Sequence, residues 1–186
     1  MSFHFLLSLC ASSPDEFGLK VRLFGDLIYD QLPQVSWGIQ HKRQKDFLIP
    51  GLVGAQHSED TEGYLTASRL ILGGAFGYNL LLNAGIRYSR ANELGLLGFG
   101  GDRRDRHSVL KEGAVAVLLN PRWVLGVEYR EKPDNLSFAG ESDWADLFIG
   151  YFPNKSLAVV LAYARLGEIA TLDNQDGVYL SVQGSF

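Results

Sequence analysis

The chain has 186 residues, of which 46% are hydrophobic and 20% are charged, which is enough for one domain of ordinary composition. Its formal net charge of -4 argues against a nucleic-acid partner, because binding to phosphates requires a basic surface. The single cysteine, Cys10, excludes an intrachain disulfide and a cysteine-rich metal site, and the apolar runs are far shorter than the roughly 20 residues of a membrane-spanning helix.

The N-terminal segment, residues 1–16, has two interpretations. It begins with an apolar stretch but contains no Lys or Arg, so it is a poor secretory signal peptide. Apolar residues nevertheless alternate along residues 3–10, as they do in a strand. The segment is therefore either an extra strand or a remnant of a signal, and we expect that the chain lacks its natural beginning.

Nine further segments alternate apolar and polar side chains with the period of two that is typical of β-strands. The predicted strands are residues 18–29, 34–44, 64–72, 78–90, 109–119, 123–130, 144–152, 157–166 and 177–186. The sequence therefore predicts an all-β domain over residues 17–186, with nine or ten antiparallel strands.

The connections between these strands alternate in length. The short ones are residues 30–33, 73–77, 120–122 and 153–156, and the long polar ones are residues 45–63, 91–108, 131–143 and 167–176. Outer-membrane barrels have short turns on one side and long loops on the other, whereas a soluble meander has no reason to keep this order. The pattern predicts an up-and-down transmembrane-type β-barrel in the bacterial outer membrane.

Aromatic residues cluster toward the ends of the predicted strands, where Trp and Tyr favour the membrane–water interface. Those near the short turns are Tyr29, Trp37, Trp123 and Tyr151, and those near the long loops are Tyr64, Tyr88, Tyr129, Trp144 and Tyr163. Mid-strand outward positions such as Leu82, Ile86 and Val159 are aliphatic. This distribution predicts two aromatic girdles around an aliphatic band.

The opposite face carries a cluster of charges near the long-loop end. Its candidate members are Lys42, Arg87, Glu128 and Arg130. Such charges either neutralise one another inside the barrel or set ion selectivity near its mouth. Small apolar residues such as Ala116 and Ala162 share this face, which indicates a lumen that is narrow or partly filled.

Two glycine-containing segments have no convincing ligand chemistry. Residues 95–101 (GLLGFGG) lack the spacing of a phosphate-binding loop, so they are either a solvated loop or a loop that folds over the mouth through Leu96, Leu97 and Phe99. Residues 173–177 (DNQDG) lack the first acidic ligand of a calcium loop, which favours a turn. None of the four histidines lies at a spacing suited to a catalytic triad, so we expect no enzymatic activity, no cofactor and no bound metal.

The last ten residues, GVYLSVQGSF, place Val178, Leu180, Val182 and Phe186 on one side of a strand that ends in an aromatic residue. This pattern is typical of the closing strand of an outer-membrane barrel. We expect these four residues to act as the signal for the barrel-assembly machinery, with the lipid bilayer as the second partner.

Several segments resemble a family of outer-membrane proteins of Gram-negative bacteria that is described as a domain of unknown function. They are residues 18–26 (GLKVRLFGD), 91–102 (ANELGLLGFGGD), 128–136 (EYREKPDNL), 161–163 (LAY) and 173–183 (DNQDGVYLSVQ). The resemblance implies a barrel at the cell surface and supplies no catalytic residue. Family members look longer, with a signal peptide and further strands upstream, and the chain departs from them over residues 1–16.

The leading interpretation is a channel or structural surface protein without catalysis. The alternative is a soluble antiparallel barrel that binds an apolar small ligand. That alternative would place the Val and Leu side chains inside and would leave Arg87 and Glu128 outside.

Overall fold

The computed structural model describes residues 3–8, 15–138, 142–169 and 172–184. Across these residues, ten strands form one antiparallel sheet in the order of the chain. The strands are β1 (Phe3–Ser8), β2 (Asp15–Phe24), β3 (Gln34–Arg43), β4 (Glu59–Ala75), β5 (Tyr78–Ser89), β6 (Ser108–Asn120), β7 (Trp123–Arg130), β8 (Trp144–Asn154), β9 (Leu157–Ile169) and β10 (Leu172–Gly184). A short helix, α1 (Leu48–Leu52), and a 3₁₀ turn, Asn92–Gly95, lie in the first two long loops.

The all-β, up-and-down prediction is confirmed, and each of the nine predicted strands is present. A strand also occurs in the N-terminal segment, where β1 pairs with β2 from Phe3 opposite Val21 to Ser8 opposite Glu16. The edges of the sheet are β1 and β10, and no pairing joins them within the described part of the chain. Closure into a barrel therefore stays a prediction.

Two predicted connections are wrong. The first turn is longer than predicted, because β2 ends at Phe24 and the Asp26 carboxylate accepts hydrogen bonds from the backbone N–H groups of Ile28 and Tyr29. Residues 167–176 are not a long loop, since β9 runs to Ile169 and β10 begins at Leu172. Turn-like composition at residues 173–177 is overridden there by continued pairing with β9, across an irregularity in register.

The two faces of the sheet differ in which side chains are exposed and which are buried. One face, here called the apolar face, is aliphatic and exposed: Val127 is 51% exposed and Leu180 is 63% exposed. Other exposed members are Ile86, Val115, Leu125, Leu147, Leu161, Val178 and Val182. The other face, here called the network face, buries polar side chains such as Lys42 and Glu62 together with Ala116 and Ala162.

The aromatic side chains only partly follow the predicted girdles. Exposed aromatic residues on the apolar face include Trp37, Tyr88, Trp123, Tyr129 and Tyr163. Tyr64 and Trp144 instead belong to the network face, because the alternation of β4 and β8 places them beside arginines. Phe186 of the predicted assembly signal lies outside the described residues.

The main apolar cluster lies in the loops, outside the sheet. Ala55 and Leu136 are buried at its centre, and Phe47, Val53 and Leu97 pack against them. Within the described residues, the helices are all too short or too polar to cross a membrane.

Candidate functional site

The charged side chains of the network face converge near the long-loop ends of neighbouring strands. All four predicted residues, Lys42, Arg87, Glu128 and Arg130, belong to this set. Glu62 on β4 and Glu112 on β6 connect them. We call these six residues the charge network.

Glu62 is the centre of one half of the charge network. Its Oε1 lies 2.7 Å from Lys42 Nζ and 2.7 Å from Arg87 Nη1, so one carboxylate oxygen serves two cations. The Glu62 side chain is 3% exposed and that of Arg87 is 14% exposed, so water competes little for these ion pairs. Charge-assisted hydrogen bonds in such surroundings are stronger than those at a surface.

Glu112 is the centre of the other half. Its Oε2 lies 3.2 Å from Arg87 Nε and 3.5 Å from Arg130 Nε, and Arg130 Nη2 lies 3.5 Å from Glu128 Oε1. The pairing register of β6 and β7 brings these two side chains together, because Glu112 lies directly opposite Arg130. The predicted charges are therefore one connected network and not isolated groups.

Aromatic rings hold the two arginines in place. The guanidinium of Arg87 lies 4.9 Å from the centre of the Tyr64 ring, and that of Arg130 lies 5.3 Å from the centre of the Trp144 ring. Gly38 makes room for Tyr64, since a Cβ at that position would lie 2.2 Å from the ring. The network face is thus filled by side chains at this end of the sheet.

Sequence reasoning missed Glu62 and Glu112 for different reasons. Glu62 falls in a predicted loop, because the sequence pattern places the start of β4 at Tyr64, whereas the strand begins at Glu59. Glu112 lies four residues from Ala116 in β6, so the alternation that places Ala116 on the network face also places Glu112 there. The period-two signal was sufficient to find Glu112.

The loops fold over the charge network and form a cap, here called the loop cap, made of residues 47–55, 91–102 and 131–137. Phe99 is 1% exposed, and Asn92, Asn135 and Leu136 are fully buried. Phe99 therefore folds inward as predicted, and the alternative of a solvated loop is wrong for it, whereas Leu96 is 45% exposed. The cap contacts the network directly, because Lys42 Nζ donates a hydrogen bond to the carbonyl oxygen of Leu94 at 3.4 Å.

Two buried asparagines join the segments of the loop cap. The side-chain amide of Asn135 donates to Asn92 Oδ1 at 2.9 Å and to the carbonyl oxygen of Arg90 at 3.2 Å. The amide of Asn92 donates to the carbonyl oxygen of Gly100 at 2.8 Å. The NH2 groups of both side chains are buried and hydrogen-bonded, which lowers the cost of burying these amides in the cap.

The backbone of the loop cap is strained at one place. Glu93 and Leu94 have φ values of 43° and 61°, a left-handed conformation that costs a non-glycine residue about 1–3 kcal/mol. An ion pair compensates for this strain, because Glu93 Oε2 lies 2.9 Å from Lys132 Nζ on the neighbouring loop. Gly98, with φ 72°, avoids the same strain where the chain turns back.

The loop cap leaves little open space above the charge network. The cavity there has a volume of about 20 Å³ and is lined by Lys42, Glu62, Arg87 and Arg130 together with cap residues such as Leu94 and Lys132. This volume is close to that of a single water molecule. The cap therefore leaves only a small space beside these side chains, while Arg130 and Glu128 remain 23% and 33% exposed.

Two loop carboxylates outside the sheet are held in their ionised form. Hydrogen bonds from the hydroxyl and backbone N–H of Ser137 lower the pKa of Asp102. The pKa of Asp105 is lowered chiefly by its hydrogen bond with His57, and Arg90 adds to the effect. Both residues tie one loop to another.

The charge network consists of carboxylates and cations that form ion pairs with one another. No group of three or more His, Cys, Asp or Glu residues that could hold a metal ion occurs among the residues that the structure describes. The charge network contains carboxylates and cations that neutralise one another and no nucleophile next to a base.

The family model described as "Protein of unknown function (DUF3034)" matches residues 10–183. The chain belongs to this family. No curated protein and no solved structure matches it. The predicted resemblance is thus confirmed at the level of a family of unknown function, while the outer-membrane location and the Gram-negative origin stay predictions.

Proposed function

We propose that this protein is an outer-membrane β-barrel whose lumen is closed by the loop cap, and that it serves as a surface protein or gated channel without catalysis. The observation that carries the proposal is the inverted burial of the sheet. Aliphatic side chains such as Val127 and Leu180 are exposed, whereas Glu62 and Lys42 are buried. Extended apolar surfaces of this kind mark contact with a membrane or a partner.

Closure of the sheet is part of the proposal. In hydrocarbon the unpaired backbone groups of an edge strand have no water to bind, so the edges at β1 and β10 must find partners in a bilayer. The up-and-down order of the strands suits closure, because each strand already pairs with its neighbours in the chain.

The alternative of a soluble barrel around an apolar ligand fits the burial pattern less well. It requires the aliphatic residues to share an interior, yet Val127 is exposed and the Arg87 side chain is largely buried. A soluble protein would have to cover the apolar face by another means.

The test is a pair of lysine substitutions at exposed apolar positions. Val127→Lys on the apolar face is expected to reduce folding into lipid vesicles by about 2–4 kcal/mol, because a lysine at mid-bilayer depth is costly. Leu52→Lys, at an exposed site in α1, is the matched control and is expected to have no effect. Folding is measured by heat-modifiable gel mobility, and equal behaviour of both variants would contradict a membrane-facing sheet.

The loop cap decides between an open pore and a closed one. The cavity of about 20 Å³ beneath it supports a closed lumen. We expect planar bilayers that contain the protein to show little conductance, and deletion of residues 93–99 to raise it. High conductance of the intact protein would refute the closed lumen while leaving the barrel in place.

We also propose that β10 is recognised by the barrel-assembly machinery. It forms an edge of the sheet and exposes Val178, Leu180 and Val182. An edge strand can add to another sheet by backbone hydrogen bonding. Removal of Phe186 should slow assembly into vesicles that contain the machinery and leave unassisted folding unchanged.

A further inference from the structure

The loop side of the molecule carries two arginines without a protein partner. Arg104 and Arg106 are exposed, and within the described part of the chain neither side chain forms an ion pair or a hydrogen bond. They lie two positions apart on one loop, on either side of Asp105, and both line the same clefts. Two guanidinium groups therefore remain available to an external anion.

Among the described residues, the ion pairs of the neighbouring carboxylates go to other cations than these two arginines. Asp105 pairs with Arg90 and Asp134 pairs with Arg103, while Asp102 is hydrogen-bonded to the neutral Ser137 and keeps its negative charge. The positive charge at residues 104 and 106 is therefore only partly balanced within the loops. Arginine pairs in this state are common anion sites, since their planar donors match phosphate oxygens.

The two arginines line two adjoining clefts. One has a volume of about 610 Å³ and is bounded by residues 103–106 and Asp134. The other, of about 480 Å³, extends from Arg104 and Arg106 to Tyr88 and Val109. Both clefts are wide open to solvent, so each could take a head group at the surface of the molecule.

The second cleft lies between the loop arginines and the edge of the apolar face. Tyr88 and Val109 lie opposite each other on β5 and β6, and both are exposed on the apolar face. The cleft therefore opens at the boundary where the apolar face ends and the loops begin. A ligand that satisfies both sides has an anionic head and an apolar tail.

We propose that Arg104 and Arg106 bind the phosphate group of an amphiphile in the membrane leaflet on the long-loop side. The inference rests on the proposed membrane location. A phosphate monoester supplies up to two negative charges and three acceptor oxygens, which suits two guanidinium groups better than a single carboxylate does. The apolar tail lies along the apolar face beside Val109.

The test compares a variant that lacks two positive charges at the long-loop end with a variant that lacks two positive charges at the short-turn end. The double variant Arg104→Gln/Arg106→Gln removes the proposed site. Arg122→Gln/Lys155→Gln removes the same charge from exposed positions in two short turns and is the matched control. Each protein is titrated in detergent micelles with dioleoyl phosphatidic acid, dioleoyl phosphatidylcholine or inorganic phosphate, and binding is followed by native mass spectrometry.

We expect the first variant to bind phosphatidic acid at least about tenfold more weakly than the unchanged protein, and the control to stay within about twofold. Arg104→Lys/Arg106→Lys should retain part of the affinity, because it keeps the charge and loses the planar donors. Phosphatidylcholine should bind weakly to all of them. Equal affinity of the glutamine variant, or full competition by inorganic phosphate, would overturn the lipid assignment.

Heat-modifiable gel mobility in vesicles separates this result from the proposed function. If the protein folds into vesicles and the glutamine variant keeps its affinity for phosphatidic acid, the membrane location stands and the lipid site is refuted. A protein that does not enter vesicles refutes the location itself. Single variants at Arg104 and Arg106 are measured as well, so that misfolding of the double variant does not prevent a decision.

Discussion

The long-loop end and the short-turn end of the sheet differ in how deeply the residues of their connections are buried. At the long-loop end, Phe99, Asn92 and Asn135 are buried in a cap with its own hydrogen bonds and apolar cluster. At the short-turn end, Tyr29 and Phe76 are almost fully exposed, although the first turn is tied to β4 by hydrogen bonds that the carbonyl oxygens of Leu27 and Gln31 accept. The difference teaches that the long loops are structured elements and that contacts outside the sheet are concentrated at one end.

The largest loss of stability is expected when the Glu62 carboxylate is removed from the long-loop end. Glu62→Ala leaves Lys42 and Arg87 as buried cations that have lost a shared carboxylate, which should destabilise the protein by about 3–5 kcal/mol. Glu59→Ala is the control on the same strand, since its ion pair with Arg43 is exposed and is worth about 0–1 kcal/mol. Urea unfolding in lipid vesicles measures both, and similar losses would show that the buried network is not what stabilises the long-loop end.

A smaller loss of stability is expected when single asparagines are replaced at the long-loop end and at the short-turn end of the sheet. Asn92→Ala removes buried hydrogen bonds to Gly100 and Asn135 and should cost about 1–3 kcal/mol. Asn154→Ala, at the end of β8 beside a short turn, removes one exposed bond from the backbone N–H of Ser156 and should cost less than about 1 kcal/mol. Limited proteolysis within residues 91–102 should accelerate in the first variant only; unchanged cleavage there would contradict the role of Asn92 in the cap.

The smallest effect is a dependence on pH. Because hydrogen bonding lowers the pKa of Asp102 in the folded protein, its contribution to stability is present above the unfolded value of about 3.9 and is lost as the pH falls through the lowered folded value. Resistance of the cap to pepsin should therefore be constant above about pH 5 and decline below about pH 4. Asp102→Asn should flatten that decline, and an unaltered acid profile would exclude Asp102 as its source.

Particular residues show why the site could be predicted only in part. Lys42, Arg87 and Arg130 were found because strict alternation in their strands assigned them to one face. Glu62 lies outside the predicted β4, because strand boundaries depend on pairing with neighbouring strands as well as on local residue preferences. Tyr64 and Trp144 were assigned to girdles from their positions along the strands, whereas their side chains stack on arginines of the network face.

The sequence by itself determined the strand order, the face of each side chain within a strand and the position of most turns, because these follow from the period of two and from local turn chemistry. Only the tertiary structure decided that β9 and β10 continue through a turn-like segment, that the loops pack into a cap and that Glu62 and Glu112 connect the charges. Those features depend on contacts between residues far apart in the chain, and a local pattern carries no information about which distant partner is close enough to bind.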